Sequence, residues 1–454
     1  MSWVRSEMAQ VDLGDERLNA RAMCLLERFI SQPTHSIPTA CRGWSETQAA
    51  YRFFDNAKVS PAKVLAPHQA ATLERMKAHE RVLCLEDTSE VDFSDPTQSR
   101  GLGPLSHENQ RGLHLHVNLA LTPDRLCLGH LDALMWARRD EDFHKRRQRA
   151  QKPLQDKESR RWWDGYRQVC RLSQELPHTR LTYIADREGD LYDIFVEAEM
   201  QNHCADYVIR AHHDRMLQDN QKISEALVRA PCLGQVQFDL PHSHARTNKR
   251  VEQTLKAVRV TVRRPELSEA SLEQVEVTVV LAQETHPPKG EAPITWILLT
   301  NCNVQTQEQA MQIVQWYLCR WQIEVFFRIL KSGCKIEELQ LETSERLQSA
   351  LALYMIVAWR VLYLTMLGRD CPNTSCEAVF EEAEWQAVYI VARREPPPQQ
   401  PPTLNTMIRM IAGFGGFLGR KHDGEPGPQS IWIGLQRTRD FVLAVEATKV
   451  MMNS

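Results

Sequence analysis

The sequence has little that would mark a membrane or secreted protein. No stretch approaches 18 uninterrupted apolar residues, so we expect no membrane span. The first residues lead into Glu7, Asp12 and Asp15, and they lack the basic start and apolar run of a signal peptide. These absences favour a protein that stays in the cytoplasm.

Paired cysteine motifs are also missing. The twelve cysteines are scattered without a CxxC pair, and Cys371 and Cys376 have no histidine cluster beside them. In a cytosolic chain such cysteines are typical of reduced thiols in the core. A zinc site is the less favoured alternative.

An excess of positive charge is absent from the chain as a whole. The 55 Lys and Arg residues face 58 Asp and Glu residues, which argues weakly against nucleic-acid binding. Between Arg138 and Arg171, however, twelve basic residues stand against six acidic ones, with Trp162 and Trp163 among them. Such a patch can neutralise phosphates in a protein that is acidic overall. On charge alone, a solvated helix face with ion pairs is the favoured interpretation.

The order of the hydrophobic patterns indicates several structural units, since 454 residues exceed one compact core. Residues 1–72 have helical patterns and no strand signals. Strand-like apolar runs then alternate with helical segments, which predicts a mixed α/β sheet. Residues 230–301 are typical of β-structure. A long helix resumes at Gln307, so we interpret residues 230–301 as an insertion.

These patterns divide the chain into three parts. We expect a helical domain over residues 1–72 and an α/β core over residues 73–368, which contains the β insertion. The core itself then consists of residues 73–229 and 302–368. A proline-rich segment, Pro396–Pro402, lies in the third part, a helical domain over residues 369–454 that ends with a helix from Ile431 to about Met451.

One predicted helix carries most of the chemical signal. We expect a continuous helix over Gln307–Lys331, apolar around most of its girth. At about 100° per residue, five polar side chains fall on or near one narrow face: Tyr317, Arg320, Glu324, Lys331 and Arg328. Charges on an otherwise apolar helix indicate that they pair or act in function. A structural ion-pair ladder from Arg320 to Glu324 is the open alternative.

Two aspartates follow strand-like apolar runs. Asp87 and Asp186 each end such a run, and a carboxylate at the carboxyl end of a buried strand points into the crevice where α/β sheets bind ligands. Either residue alone is as well explained by a turn. Together with Glu324 they offer three carboxylates from separate segments, the hard oxygen ligands that suit Mg²⁺ or Mn²⁺.

The same residues carry a family resemblance. The spacing Tyr317-x2-Arg320-x3-Glu324-x6-Lys331 matches without a gap the signature of the IS4-family DDE transposases. The segments Leu85–Thr88 and Asp186–Asp190 resemble the family's first and second acidic segments. The chain is especially similar to the Tn5-like members, with further matching stretches in the same order around Tyr51, Trp296 and Trp385.

The resemblance implies a cut-and-paste DNA transposase with a ribonuclease-H-like core. Asp87, Asp186 and Glu324 would be both the catalytic residues and the ligands of Mg²⁺, with Mn²⁺ able to substitute. The neighbouring acids Glu86, Glu188 and Asp190 are poorer ligand candidates. The implied reaction consists of nicking at transposon ends, hairpin formation and resolution, and strand transfer into target DNA.

The resemblance also implies partners. These are double-stranded transposon ends, target DNA and a second copy of the chain in the synaptic complex, with no membrane. Residues 1–72 would bind the ends, residues 369–454 would dimerise, and the protein would lie at the bacterial nucleoid. A catalytically silent DNA-binding regulator and a stand-alone nuclease of the same fold stay open as alternatives, although the intact triad argues against the first.

A larger set of residues would contact DNA. Tyr317, Arg320 and Lys331 would bind backbone phosphates, and Trp296 would stack a flipped base unless it is a core aromatic. The other implied contacts are Trp321, Arg210, Arg328, Gln340, Glu342 and Arg346. Gln340 and Arg346 differ from the residues of the similar proteins, so we expect a different end specificity.

Overall fold

The computed structural model of the chain describes residues 3–94, 100–107, 109–143, 154–239 and 250–452. Its first part is helical up to Met76. The helices are α1 (Trp3–Glu7), α2 (Glu16–Ser31), α3 (Ile37–Ala40), α4 (Trp44–Phe54) and α5 (Pro61–Met76). Side-chain caps begin two of them: Asp15 accepts from the Arg17 N–H before α2, and Ser60 accepts from the Lys63 N–H before α5.

A buried ion-pair group joins the first helix to the last of these. Glu7 of α1 accepts hydrogen bonds from Arg75 of α5 at 2.9 and 3.0 Å and contacts the ring of His68. Burial alone would raise the pKa of Glu7, but hydrogen bonds and charge from His68 and Arg75 lower it to about 2. The carboxylate is therefore held ionised inside the helical part.

A ten-stranded sheet forms the centre of the described structure. Its strands are β1 (Arg81–Asp92), β2 (Gly103–Pro104), β3 (Arg111–Leu121), β4 (Cys127–Trp136), β5 (Arg180–Ala185), β6 (Asp206–Arg210), β7 (Cys232–Asp239), β8 (Arg250–Arg263), β9 (Gln274–Glu284) and β10 (Thr295–Thr300). They lie in the order β2-β3-β1-β5-β6-β10-β9-β8-β7, with β4 also paired to β3. The β1–β5 and β5–β6 pairs are parallel, and the others are antiparallel.

The β segment predicted as an insertion continues the core sheet. Leu298 and Leu299 of β10 pair with Arg210 and Ile209 of β6, and β9, β8 and β7 follow outward. Both leucines are fully buried, so this edge of the core is covered by the added strands. The domain boundaries themselves stay a prediction.

Helices cover both faces of the sheet. Along β1, Leu83 and Leu85 belong to one hydrophobic core, and Val82 and Cys84 belong to the other. This alternation follows from the two-residue period of a strand. The fold class predicted from the sequence, a mixed α/β sheet with helical flanks, is confirmed.

The remaining helices follow from the core to the carboxyl end. They are α6 (Asp140–Phe143), α7 (Arg160–Glu175), α8 (Tyr192–Met200), α9 (Ile223–Arg229), α10 (Gln307–Leu318), α11 (Trp321–Arg328), α12 (Ser344–Asp370), α13 (Glu382–Arg393), α14 (Leu404–Phe414) and α15 (Pro428–Met452). Among the described residues, α12 is the one helix long and apolar enough to cross a membrane. Because 83% of its apolar window is buried inside the protein, it is a core helix and not a membrane span.

The last helix packs within the chain. Ile431 is buried, Phe441 contacts Phe414 of α14 with ring centroids 4.7 Å apart, and a Cβ at Gly434 would meet the Ile411 carbonyl oxygen at 1.9 Å. The glycine thus permits the close approach of α14 and α15. Ile431 and Phe441 of the last helix are therefore used for packing inside one chain, while Leu443 remains 40% exposed.

Candidate active site

Two of the predicted acids come from neighbouring parallel strands, one within its strand and one directly after it. Asp87 does not end its strand, as the sequence suggested, because pairing with β3 extends β1 to Asp92. The neighbouring strand β5 does end at Ala185, directly before Asp186. The parallel β1–β5 pairing ends at Leu85 and Ile184, two residues before each aspartate, so Asp87 and Asp186 come from the same end of the two paired segments.

Asp87 lies in a mostly buried position. Its carboxylate accepts hydrogen bonds from Arg320 Nη1 and from the Thr88 N–H, both at 2.8 Å. Burial raises the pKa of Asp87 to about 7; the charge of Arg320 opposes that rise, and the charges of Asp186 and Glu324 add to it. Asp186 and Glu324 therefore both lie near enough to act on Asp87 electrostatically.

The continuous helix predicted over Gln307–Lys331 is wrong. The structure has α10, a tight turn at Cys319 and Arg320, then α11, and a π-helix over Ile329–Gly333. In the turn the Arg320 N–H donates to the Tyr317 carbonyl at 3.0 Å, a bond spanning three residues instead of four. Cys319 and Arg320 keep right-handed helical backbone dihedrals, and Arg320 still bonds to Glu324, so the polar face is interrupted only locally.

Arg320, which lies in this turn, connects two of the three acids. Its guanidinium donates to Asp87 and also to Glu324, four residues further on. Arg320 is largely buried, whereas Glu324 is partly exposed. The Arg320–Glu324 ion pair, which the sequence offered as an alternative to a functional role, is therefore present. It is joined to Asp87 through the same guanidinium and does not stand alone on the helix surface.

Tyr317 and Trp296 lie in the core beside this cluster. Trp296 is 5% exposed; Phe238 stacks on it at 5.4 Å and Tyr317 contacts it edge-on at 5.8 Å. Burial raises the pKa of Tyr317, and the charges of Arg320 and Arg210 lower it, together with a hydrogen bond to Arg210. Trp296 thus has the surroundings of a core aromatic residue, which is the alternative to base stacking that the sequence left open.

The other predicted DNA-contacting residues form two groups. Trp321 is half-buried and lies near the acids, with the Arg320 guanidinium 5.8 Å from its ring. Arg328 is exposed, and Lys331 pairs with Glu337 at 3.7 Å.

The second group borders the amino end of α12. Gln340 and Glu342 are exposed, and Arg346 pairs with Glu342 at 3.0 Å. Arg346 also bonds to Asp55, the residue that ends α4. The helical first part of the chain is therefore linked here to the core.

Acids next to the predicted ligands are engaged elsewhere. Glu86 is buried, accepts a hydrogen bond from Tyr183 and points to the opposite face of β1 from Asp87. Asp190 accepts from Arg215 at 2.6 Å. Their positions agree with their exclusion as ligands.

Most of the described basic run is paired, as the favoured interpretation had it. Arg160 pairs with Asp164 at 3.0 Å and Arg167 with Glu197 at 3.6 Å, while residues 144–153 lie outside the described residues. Arg161 differs, because it reaches toward both acidic segments. In the sequence only the adjoining Trp162 distinguishes Arg161 from the other basic residues of this run.

The donor set suits a hard divalent cation, since all three candidate ligands are carboxylates. Within the described part of the chain, no group of three His, Cys, Asp or Glu side chains is close enough to form a metal site. Arg320 lies between Asp87 and Glu324 and explains this spacing. The residues fit a divalent ion in chemical type once the guanidinium is displaced.

Comparisons with known proteins agree in order along the chain. Three family models match: "Transposase DNA-binding" over residues 1–59, "Transposase DDE domain" over residues 164–360 and "Transposase Tn5 dimerisation domain" over residues 356–452. A solved structure titled as a cryo-EM piggyBac transposase synaptic complex with hairpin DNA is also similar. It aligns with 81% of this chain and 72% of its own, at 10% identity and a TM-score of 0.38.

The three matches, together with the mixed sheet and its helical flanks, define a DNA transposase of the DDE class. Such enzymes generally use divalent metal ions. More particularly, the chain belongs to the Tn5-like transposases of the IS4 family, and it carries that family's DNA-binding and dimerisation domains. Asp186 and Glu324 lie within the matched DDE segment, whereas Asp87 precedes it.

Proposed function

We propose that this transposase works by cut-and-paste, with Asp87, Asp186 and Glu324 as catalytic residues that hold Mg²⁺, or Mn²⁺ in its place. The observation that carries the proposal is that Asp87 on β1 and Asp186 directly after the parallel strand β5 lie close enough to interact, with Glu324 joined to Asp87 through Arg320. Three carboxylates from separate segments supply the negative charge that a pair of divalent ions requires.

When bound, the metal ions activate the attacking water or 3′-hydroxyl and stabilise the leaving oxygen of an in-line displacement. The chain's own residues place the DNA. Arg320 has carboxylate partners that metal would neutralise, so its guanidinium becomes free to hold a phosphate by a charge-assisted hydrogen bond. Tyr317 and Lys331 would bind neighbouring phosphates, which positions the strand without selecting its sequence.

The further contacts divide by place in the fold. Near the acids we propose Trp296, Trp321, Arg210 and Arg328 as contacts to the strands that react. Beside α4 we propose Gln340, Glu342 and Arg346 as contacts to the transposon end, because the Arg346–Asp55 pair joins them to the DNA-binding part. Residues 1–72 would bind the end, 73–368 would cut and join it, and 369–454 would pair two copies.

The proposed sequence of reactions is nicking at each transposon end, hairpin formation on that end, hairpin opening and strand transfer into target DNA. The hairpin step requires a sharp bend, which unstacks a base at a cost of a few kcal/mol. A stacking indole can offset about 1–3 kcal/mol of that cost. In this structure the Trp296 ring is covered by Phe238, so stacking requires that phenylalanine to move.

Alanine variants of the three acids test the proposal. Asp87→Ala, Asp186→Ala and Glu324→Ala should each abolish nicking in Mg²⁺ and leave end binding largely intact, because binding rests on phosphate contacts elsewhere. Glu338→Ala, which removes an exposed acid paired with Lys335, is the matched control and should cut normally. Nicking at a near wild-type rate by any acid variant would remove that residue from the site. Equal cutting of duplexes with and without ends would indicate a plain nuclease.

A further inference from the structure

Arg161 of α7 binds both segments that carry the neighbouring aspartates. Its Nε donates to Thr88 Oγ1 at 3.2 Å, and Thr88 directly follows Asp87. Its Nη2 donates to Glu188 at 2.9 Å, and Glu188 lies two residues after Asp186. A single planar guanidinium therefore spans β1 and the turn after β5.

The two residues held by Arg161 are the ones whose backbone orients the aspartates. The Thr88 N–H donates to Asp87 Oδ1 at 2.8 Å, and the Glu188 N–H donates to Asp186 Oδ1 at 2.8 Å. Each carboxylate thus receives one backbone hydrogen bond, and each donor residue is bound through its side chain by Arg161. Arg161 thus bonds to the donor residue of each aspartate, one on β1 and one in the turn after β5.

Arg161 is itself held in place. Its Nη1 donates to the Glu158 carbonyl at 2.7 Å, and its guanidinium lies 5.1 Å from the Trp136 ring and 5.8 Å from the Trp162 ring. The side chain is 12% exposed. A guanidinium fixed by the backbone and by two aromatic rings is suited to act as a rigid spacer.

We propose that Arg161 is a positioning residue that sets the separation and orientation of Asp87 and Asp186 for divalent-metal binding. The inference rests on the proposed function, since it takes these aspartates as metal ligands. Partners that orient metal ligands are typically worth 10- to 100-fold in metal affinity. Arg161 acts through Thr88 and Glu188 and need not touch the metal or the DNA.

The sign of the effect separates positioning from simple charge. Arg161 is a cation near two carboxylates, so removing its charge should strengthen metal binding if electrostatics alone matters. Loss of positioning should weaken metal binding instead. Arg161→Lys keeps the charge but cannot reproduce the three-directional bonding of the guanidinium, so it should also weaken binding.

Mn²⁺ binding to the full-length chain without DNA tests the proposal, measured from the signal of free Mn²⁺ in electron paramagnetic resonance. We expect Arg161→Gln and Arg161→Lys each to raise the dissociation constant by about tenfold or more. Arg160→Gln is the control. It removes an arginine from the same turn of α7, but the partner of Arg160 is Asp164. Adding Glu188→Gln to Arg161→Gln should cause little further change, since the two residues act as one unit.

The outcomes are distinguishable once each variant is normalised to its folded fraction by circular dichroism. Unchanged or tighter Mn²⁺ binding by Arg161→Gln would overturn the positioning role alone. If Asp87→Ala and Asp186→Ala also leave Mn²⁺ binding unchanged, the proposed metal site fails and the role of Arg161 fails with it. An equal weakening by Arg160→Gln would mean that a general disturbance of α7, and not the loss of the hydrogen bonds of Arg161, is responsible.

Discussion

Replacing Trp296 with alanine separates its two possible roles, as a core side chain and as a stacking platform for a flipped base. We expect first-strand nicking to continue and hairpin formation to slow, so that nicked DNA accumulates. Nicking needs the acids, the metal and the scissile phosphate, none of which depends on the indole. Hairpin formation needs the free 3′-hydroxyl to reach the opposite strand across a bent duplex.

Two magnitudes follow from the structure. Because Trp296 is 5% exposed and packs between Phe238 and Tyr317, its truncation should cost about 3–5 kcal/mol of unfolding free energy. Loss of base stacking should raise the free-energy barrier of the hairpin step by about 1–3 kcal/mol. At about 1.4 kcal/mol per factor of ten, the hairpin step slows by roughly one to two orders of magnitude.

A time course on a labelled duplex that carries the end sequence flanking the gene measures both steps. Phe238→Ala supplies the matched control, since it uncovers the indole face without removing it. If a base stacks on Trp296, Phe238→Ala should form hairpins at least as fast as the wild type once folded protein is matched. Equal loss of nicked and hairpin products in Trp296→Ala, at matched folded protein, would refute stacking and leave Trp296 a core residue.

Three other properties can be tested independently. Since the pKa of Glu7 is lowered to about 2, its ion pair stabilises the fold above pH 4.5, and this stability is lost as the pH falls toward 2. Glu7→Gln should therefore lower the urea midpoint of unfolding at pH 7 and flatten the dependence of that midpoint on acid pH. An unchanged pH dependence would contradict this. Arg328→Ala should reduce the slope of log affinity against log salt by about one, whereas an identical slope would exclude a phosphate contact. Leu443→Glu should prevent complexes that pair two ends in a gel while single-end binding persists, and surviving paired complexes would place the dimer contact elsewhere.

The elements of the sheet could be predicted because their hydrophobic patterns are local. Asp186 was correctly placed directly after a strand, since Arg180–Ala185 forms β5. The extension of β1 beyond Asp87 was not predictable in the same way, because it depends on pairing with β3. The proximity of Asp87 and Asp186 likewise depends on β1 and β5 becoming neighbours, and the sequence alone does not state this.

The parts of the site that could not be predicted depend on packing. The segment Gln307–Lys331 has no glycine or proline, so nothing in its pattern predicted a turn at Arg320. Burial of Trp296 depends on Phe238, which lies 58 positions earlier in the chain. Arg161 looked like one member of a basic run, and its role emerges from two segments that the fold brings to it.

Substituting cysteine for each proposed metal ligand tests the central claim most directly. Thiolate is a softer ligand than carboxylate, so a cysteine should disfavour Mg²⁺ more than Mn²⁺. We predict that Asp87→Cys, Asp186→Cys and Glu324→Cys lose nicking of transposon ends in Mg²⁺ and regain part of it in Mn²⁺. Nicking in Mg²⁺ at the wild-type rate by any of the three would contradict the account, because that side chain would then not hold the metal.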